Sequence, residues 1–269
     1  QASVKVLNAD NTETTANDVM DTNAGEAQRA VLEDLLNNTK AILDCTDETE
    51  TKVGFFKKDK LAELTAAYNN AKTVFDHNSS TDFAAVYRQL LTEYSALMAD
   101  NYARVGIMEG AAYRINNKNY SGRFMSVNSE KKVIAEENAN NEAQKWYFVA
   151  TDTEGTYYLK NKSTGTYAKS ISTSKQLDAS AATTEDAAKY SLVFIGDGSL
   201  AITESTGIHC AASYNVVGWN WSNTPASHWY ITAVESDEIG TARQQLTELI
   251  AQTEKLMGKV GVISTSNIK

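Results

Sequence analysis

Apolar positions along this chain follow two different periods. From about residue 24 to residue 100 they recur at intervals of three and four, the spacing that gathers side chains on one face of an α-helix. A first helix is expected over residues 24–46, with Ala27, Ala30, Val31, Leu35, Ile42 and Leu43 as its stripe. Asp47 to Thr51 is a polar break. A second helix is expected from about Lys57 to His77, with Leu61, Leu64, Tyr68, Ala71 and Phe75 on one face. Its first turn, Lys57-Lys58-Asp59-Lys60, reads as a solvated start, and His77 at its end suits the helix dipole. The run Asn78-Ser79-Ser80-Thr81 offers caps for a third helix, Asp82 to Asp100, carrying Phe83, Val86, Tyr87, Leu90, Leu91, Tyr94, Leu97 and Met98. Short connections between such helices predict antiparallel neighbours in a bundle.

After about Arg104 the texture changes. β-branched and aromatic residues alternate with polar ones between Gly and Asn turns, and this continues to about Val234. Asp237 to Met257 is helical again, with Ile239, Ala242, Leu246, Leu249, Ile250, Leu256 and Met257 on one face. That face needs a partner, and the upstream helices are expected to provide it. The expected organisation is therefore a leader over residues 1–22, a helical bundle over 23–104, a β unit over 105–235 and a closing C-terminal helix and tail over 236–269. The fold class is α+β and multidomain, with the β unit inserted between the third and fourth helices.

The β region repeats itself. Ser121-Gly122-Arg123-Phe124, Thr164-Gly165-Thr166-Tyr167 and Thr206-Gly207-Ile208-His209 place glycines 42–43 residues apart. Each is preceded by a short strand pattern: Tyr113-Arg114-Ile115-Asn116, Tyr158-Leu159-Lys160-Asn161 and Leu200-Ala201-Ile202-Thr203. Each segment ends in an aromatic strand, around Trp146, Tyr190 and Trp229. A fixed period with about four short strands per unit is a repeat architecture. Three units are too few for a propeller ring and fit a β-trefoil of three ~43-residue repeats. The glycines suit hairpin turns that need positive φ, and the terminal aromatics are expected to pack on the pseudo-threefold axis.

Gln144-x-Trp146 near the end of the first unit and Ser227-x-Trp229 near the end of the third resemble the QxW repeat of ricin-type β-trefoil lectins. The run VVGWNWSNTPASHWYI is similar to the closing repeat of ricin-like domains in secreted Bacteroides-type glycan-degrading proteins. The resemblance covers about residues 109–234. It implies carbohydrate binding by an accessory module of a larger secreted or cell-surface bacterial protein, with no cofactor and no catalysis of its own. In the family each competent repeat also supplies an aspartate, which by spacing falls here on Ser126, Lys169 and Ala211. None is acidic. A second reading follows from that: a trefoil that has lost its sugar sites and serves as a spacer or protein-interaction module.

Sugar recognition needs a flat apolar face and a few planar polar groups. The third unit is the one that offers both. Trp219, Asn220 and Trp221 lie in line, with Asn223 and Tyr214 expected nearby and His209 at the edge. One tryptophan is expected to face the barrel and Trp219 to face solvent. The first unit offers Glu136, Glu137, Asn140 and Asn141 but no aromatic at that place.

Composition narrows the classes. Apolar content of 42% and charged content of 22% are those of an ordinary globular chain. The formal net charge of −9 argues against nucleic acid or anionic lipid as partner. No apolar run approaches the ~20 residues of a membrane span. Cys45 and Cys210 are two lone thiols with no metal-ligand spacing, expected as buried side chains. No phosphate-binding loop, dinucleotide glycine motif or HExxH is present.

Overall fold

A computed structural model describes residues 5–7, 13–77, 83–100 and 102–234, with the isolated positions 249 and 253. The chain divides into two compact units. One comprises Gln1–Gly106 with Phe194–Leu200, the other Ile107–Val193 with Ala201–Lys269.

In the first unit, strands β1 (Lys5–Leu7) and β2 (Glu13–Thr15) form an antiparallel pair. Helix α1 (Ala16–Asp44) follows directly, so the first helix begins well inside the stretch read as a leader. Its buried face is Leu32, Leu35, Leu36 and Ile42, while Val31 is exposed and Ala27 and Ala30 also face solvent. Leu35 and Ile42 of the expected stripe are buried, Ala27, Ala30 and Val31 are not, and the buried row also runs through a polar residue. Thr39 is fully buried there, and its Oγ1 is satisfied by donating to the Leu35 carbonyl (2.7 Å).

The polar break is an ordered turn. Asp47 is buried and accepts hydrogen bonds from the backbone N–H groups of Thr49, Thr51 and Lys52. It sits in β3 (Thr46–Asp47), which runs parallel to β4 (Phe56–Lys57). A 3-10 turn, Lys58–Lys60, leads into α2 (Ala62–Asp76), whose buried residues Leu64, Ala67 and Ala71 keep the three-and-four spacing. His77 closes it, with Nδ1 2.7 Å from the Thr73 carbonyl. Helix α3 (Phe83–Ala99) buries Phe83, Val86, Leu90 and Leu97. The three helices share one core with Phe56, Leu61 and Ala103. The predicted C-terminal helix lies outside the described residues, apart from Leu249 and Thr253. Those two are helical, and Thr253 Oγ1 donates to the Leu249 carbonyl (2.8 Å).

Over residues 107–234 the described elements are strands and two 3-10 turns, Glu142–Gln144 and Pro225–Ser227. The strands are β5 (Ala112–Asn117), β6 (Arg123–Val127), β7 (Val133–Glu137), β8 (Trp146–Ala150), β9 (Thr156–Asn161), β10 (Tyr190–Phe194), β11 (Leu200–Thr203), β12 (Gly207–Cys210), β13 (Val216–Trp219) and β14 (His228–Ala233). Six of them, β5, β8, β9, β10, β11 and β14, pair in a closed ring, because β14 pairs with both β11 and β5. Closure removes the sheet edges. Hairpin β6–β7 extends from β5, and β12–β13 extends from β11. Between them the chain makes single bridges at Tyr167, to Lys160 and Ala181, instead of a ladder.

Burial alternates along most of β5 and β14, whereas β11 is buried at all four positions. Tyr113, Ile115, Trp146, Leu159, Tyr190, Ile202 and Trp229 are wholly buried. The aromatics that open the last strand of each sequence segment make matching bonds. Trp146 Nε1 donates to the Met125 carbonyl (2.9 Å), Trp229 Nε1 to Ile208 (2.7 Å), and the Tyr190 hydroxyl to Lys169. Asn117 and Asn161 also correspond. Each side-chain carbonyl accepts from the amides two and three residues on, and each Nδ2 donates back across the barrel, to Ala226 or Ala143. Asn117 thus does in the first segment what Asn161 does in the second, so the two repeats correspond at Asn117 and not at Asn116.

Gly122 and Gly165 have φ of +84° and +68°, as the hairpin turns require. Gly207 is not in that conformation. It is glycine because a Cβ there would stand 2.6 Å from the Cβ of Trp221. Cys45 and Cys210 are both buried. Among the described residues no helix is long and apolar enough to cross a membrane.

Candidate functional site

Strand β13 carries the site. It pairs with β12 on one side, with Gly207 opposite Trp219 and His209 opposite Val217. On its other side lies the segment 173–176, held by bridges Thr173–Gly218 and Gln176–Val217. The Ser174 amide donates to the Gly218 carbonyl (2.8 Å), and the Gly218 amide to Lys175 (3.1 Å). The approach is tight enough that a Cβ on Gly218 would stand 2.4 Å from the Ser172 carbonyl oxygen. Beyond Trp219 the strand ends, and Asn220 turns the chain by accepting from the Ser222 amide (3.0 Å) and hydroxyl (3.1 Å).

A groove of about 480 Å³ results, lined by Thr173, Ser205, Thr206, Trp219, Asn220 and Trp221. Trp219 is 44% exposed. Trp221 is half-buried, its Cβ seated on Gly207. Both indoles therefore line one groove, and the expectation that one would face the barrel fails. Residues two apart in an extended chain fall on the same side.

His209 stands behind Trp219, their rings 6.1 Å apart and tilted by 38°. The hydrogen-bond network assigns its tautomer. Ser227 Oγ has one proton and gives it to the Asn220 carbonyl (2.8 Å). It must then accept at its other contact, from His209 Nδ1–H (2.9 Å). His209 Nε2 is left as an acceptor. Burial pushes the His209 pKa down, which keeps the ring neutral near pH 7. His228 is fixed in the opposite tautomer. Its Nε2 lies 2.7 Å from the Trp221 carbonyl, which only accepts, so Nδ1 is a buried lone pair without a partner among the described residues.

Ser227 and Gln144 hold corresponding places. Gln144 Nε2 donates to the Glu137 carbonyl, while its Oε1 accepts from the Ala139 and Asn140 amides and from Arg114. The shorter serine keeps the donation across the loop, and His209 occupies its acceptor side.

The other predicted site residues are dispersed. Tyr214 precedes β13 at the end opposite Trp219, and the strand alone spans about 10 Å. It has φ of +61°, stacks under the Arg123 guanidinium (4.0 Å) and meets Tyr120 edge-on (5.4 Å). Its partners belong to the first segment's hairpin, so it does not join the groove. Asn223 is exposed in the turn and does not line the groove. Thr173, Ser205 and Thr206 do line it and were not foreseen. Thr173 comes from a distant segment with no strand pattern, and only the bare Gly218 hinted that backbone would pass there. At the positions expected for the lectin aspartates, Ser126 is wholly buried, and Lys169 and Ala211 are half-buried.

No family model and no curated protein matches the chain. Several solved structures are similar to it over about half its length. The Macrolepiota procera ricin B-like lectin in complex with lactose has 16% identity and a TM-score of 0.41, over 47% of this chain and 97% of that one. The Rhizoctonia solani agglutinin has 17% identity and a TM-score of 0.42, over 47% and 97%. The Polyporus squamosus lectin, bound to a Neu5Ac-containing epitope, has 18% identity and a TM-score of 0.42, over 47% of this chain and 50% of that one.

Proposed function

We propose that residues 105–235 form a β-trefoil of three ~43-residue repeats that binds carbohydrate without catalysis, as a module of a secreted or cell-surface glycan-processing protein. One observation carries the reading: an exposed indole, Trp219, stands at a groove whose remaining walls are hydroxyl and amide groups. A sugar presents a C–H face to an aromatic ring and hydroxyls to planar or hydroxyl partners, and this groove supplies both. The three matching aromatic-to-carbonyl bonds and the paired roles of Asn117 and Asn161 support the threefold repeat. The alternative, a spacer or protein-interaction module, draws on the absence of an acidic residue at Ser126, Lys169 and Ala211.

The test is a screen of the intact chain on immobilised glycans. Binding that alters tryptophan fluorescence is expected. A blank result across hexoses, amino sugars and sialylated glycans would overturn the carbohydrate reading in favour of the spacer.

A further inference from the structure

The groove holds two indoles. Trp219 and Trp221 are two residues apart, at most roughly 7 Å along the chain, and both line the same 480 Å³ space. That volume lies within the ~300–1,000 Å³ of small-molecule sites, and more than one pyranose ring is needed to fill it. Trp221 is half-buried, with its Cβ seated on Gly207. Between and around the indoles stand Thr173, Ser205, Thr206 and Asn220. Thr206 Oγ1 is buried and has no hydrogen-bond partner among the described residues. Asn220 uses its side-chain oxygen on Ser222, which leaves its amide protons to donate elsewhere.

No charged side chain lines the groove. The adjoining carboxylate is Glu204, next in sequence to Ser205. It is held in place by the Ser205 backbone N–H, the Ser170 hydroxyl (2.9 Å) and the Ile171 amide (3.3 Å), while the Ser205 hydroxyl shares its one proton between the Ile171 carbonyl (2.8 Å) and Glu204 (3.0 Å). Burial opposes its ionisation, but these hydrogen bonds outweigh burial and hold its pKa below the usual carboxylate range. An entering anion would find no cation in the groove and a fixed negative charge beside it.

We infer that the groove takes a neutral oligosaccharide of at least two linked pyranose rings, one on Trp219 and the next on Trp221, and discriminates against acidic glycans. This inference rests on the carbohydrate reading of the same groove.

Calorimetric titration of the intact chain with matched series tests it: galactose, lactose and 3′-sialyllactose; glucose, cellobiose and cellotetraose; N-acetylglucosamine and its β1,4-linked dimer. In whichever series binds, the two-ring sugar is expected to bind at least about tenfold tighter than its monosaccharide. Trp221→Ala keeps the Cβ that packs on Gly207. It should erase the tenfold advantage of the two-ring sugar, whereas Trp219→Ala should remove detectable binding of either sugar. Sialyllactose should bind at least about tenfold more weakly than lactose if lactose binds. Equal affinity for one ring and two, or a preference for the acidic sugar, would overturn the inference and leave carbohydrate binding standing. Silence in every series would overturn both.

Discussion

Gly207 and Trp221 meet across the third hairpin, where a Cβ on the glycine would stand 2.6 Å from the tryptophan's own Cβ. The contact lies at the root of the Trp221 side chain, so a rotamer change cannot relieve it. Gly207 also has ordinary backbone angles. Its requirement is therefore for space alone.

Gly207→Ala is accordingly expected to move Trp221 and reshape the groove. Overpacking of this kind costs about 1–3 kcal/mol. Differential scanning calorimetry should show the lower melting temperature, and tryptophan emission should shift to longer wavelength as the indole becomes more exposed. Gly122→Ala makes a useful contrast, because a Cβ there meets nothing within 4 Å and the cost comes only from its positive φ. Unchanged emission in Gly207→Ala would mean that the hairpin adjusts without moving the indole.

Ser227 links the groove's backbone to His209. The serine is wholly buried and makes both its bonds there, to Asn220 and from His209. Ser227→Ala strands a carbonyl and an imidazole N–H in a partly buried site, at a cost of about 1–3 kcal/mol. Nitrogen-15 NMR of the wild-type protein should find His209 neutral at pH 7 with its proton on Nδ1. In Ser227→Ala that preference should relax. A His209 already protonated at pH 7 would contradict both the assigned tautomer and the effect of burial.

Asp178 is a pH-dependent tie between two segments. Lys132 Nζ lies 2.7 Å from its carboxylate, and their backbones are bridged. Burial works against ionisation, but Lys132 and Ser180 outweigh it and hold the pKa at about 2. The folded pKa is below the unfolded value of about 3.9. The stabilisation is therefore present above pH ~4 and is lost as pH falls toward 2. Asp178→Asn should cost about 1 kcal/mol near pH 7, an amount reduced by the pair's partial solvent exposure. The difference from wild type should vanish in melts near pH 2. A constant difference from pH 7 to pH 2 would show that the pair is not the source.

The elements were largely legible because their periods are strong. Leu64, Ala67 and Ala71 in α2, and Phe83, Val86, Leu90 and Leu97 in α3, recur as a helix face must. The aromatic strands at Trp146, Tyr190 and Trp229 announced the buried ends of the three segments. In α1 the apolar spacing marks the buried Leu35 and Ile42 but also the exposed Ala27, Ala30 and Val31, and it passes over Thr39, a polar residue in the buried row. A side chain that satisfies itself on its own helix leaves no hydrophobic mark.

The site was legible only in part, for similar reasons. Trp219 stood out by residue type. Tyr214 is near it in sequence, but the length of β13 separates the two, and its left-handed backbone turns it toward Arg123 and Tyr120. Thr173 could not be placed, because 171–176 pairs through isolated bridges and carries no alternating pattern. Gly207 was read as a turn glycine like its two counterparts, yet its reason for being glycine lies in Trp221, fourteen residues further on.

Removal of the Trp219 indole tests the central claim most directly. Wild type and Trp219→Ala would be titrated with the same bound glycan while their melting curves are compared. Trp219 is 44% exposed, so the variant should melt within about 1 kcal/mol of wild type and lose detectable binding. Full affinity in the variant would place the ligand elsewhere, and an unfolded variant would show that Trp219 serves the core and not the groove.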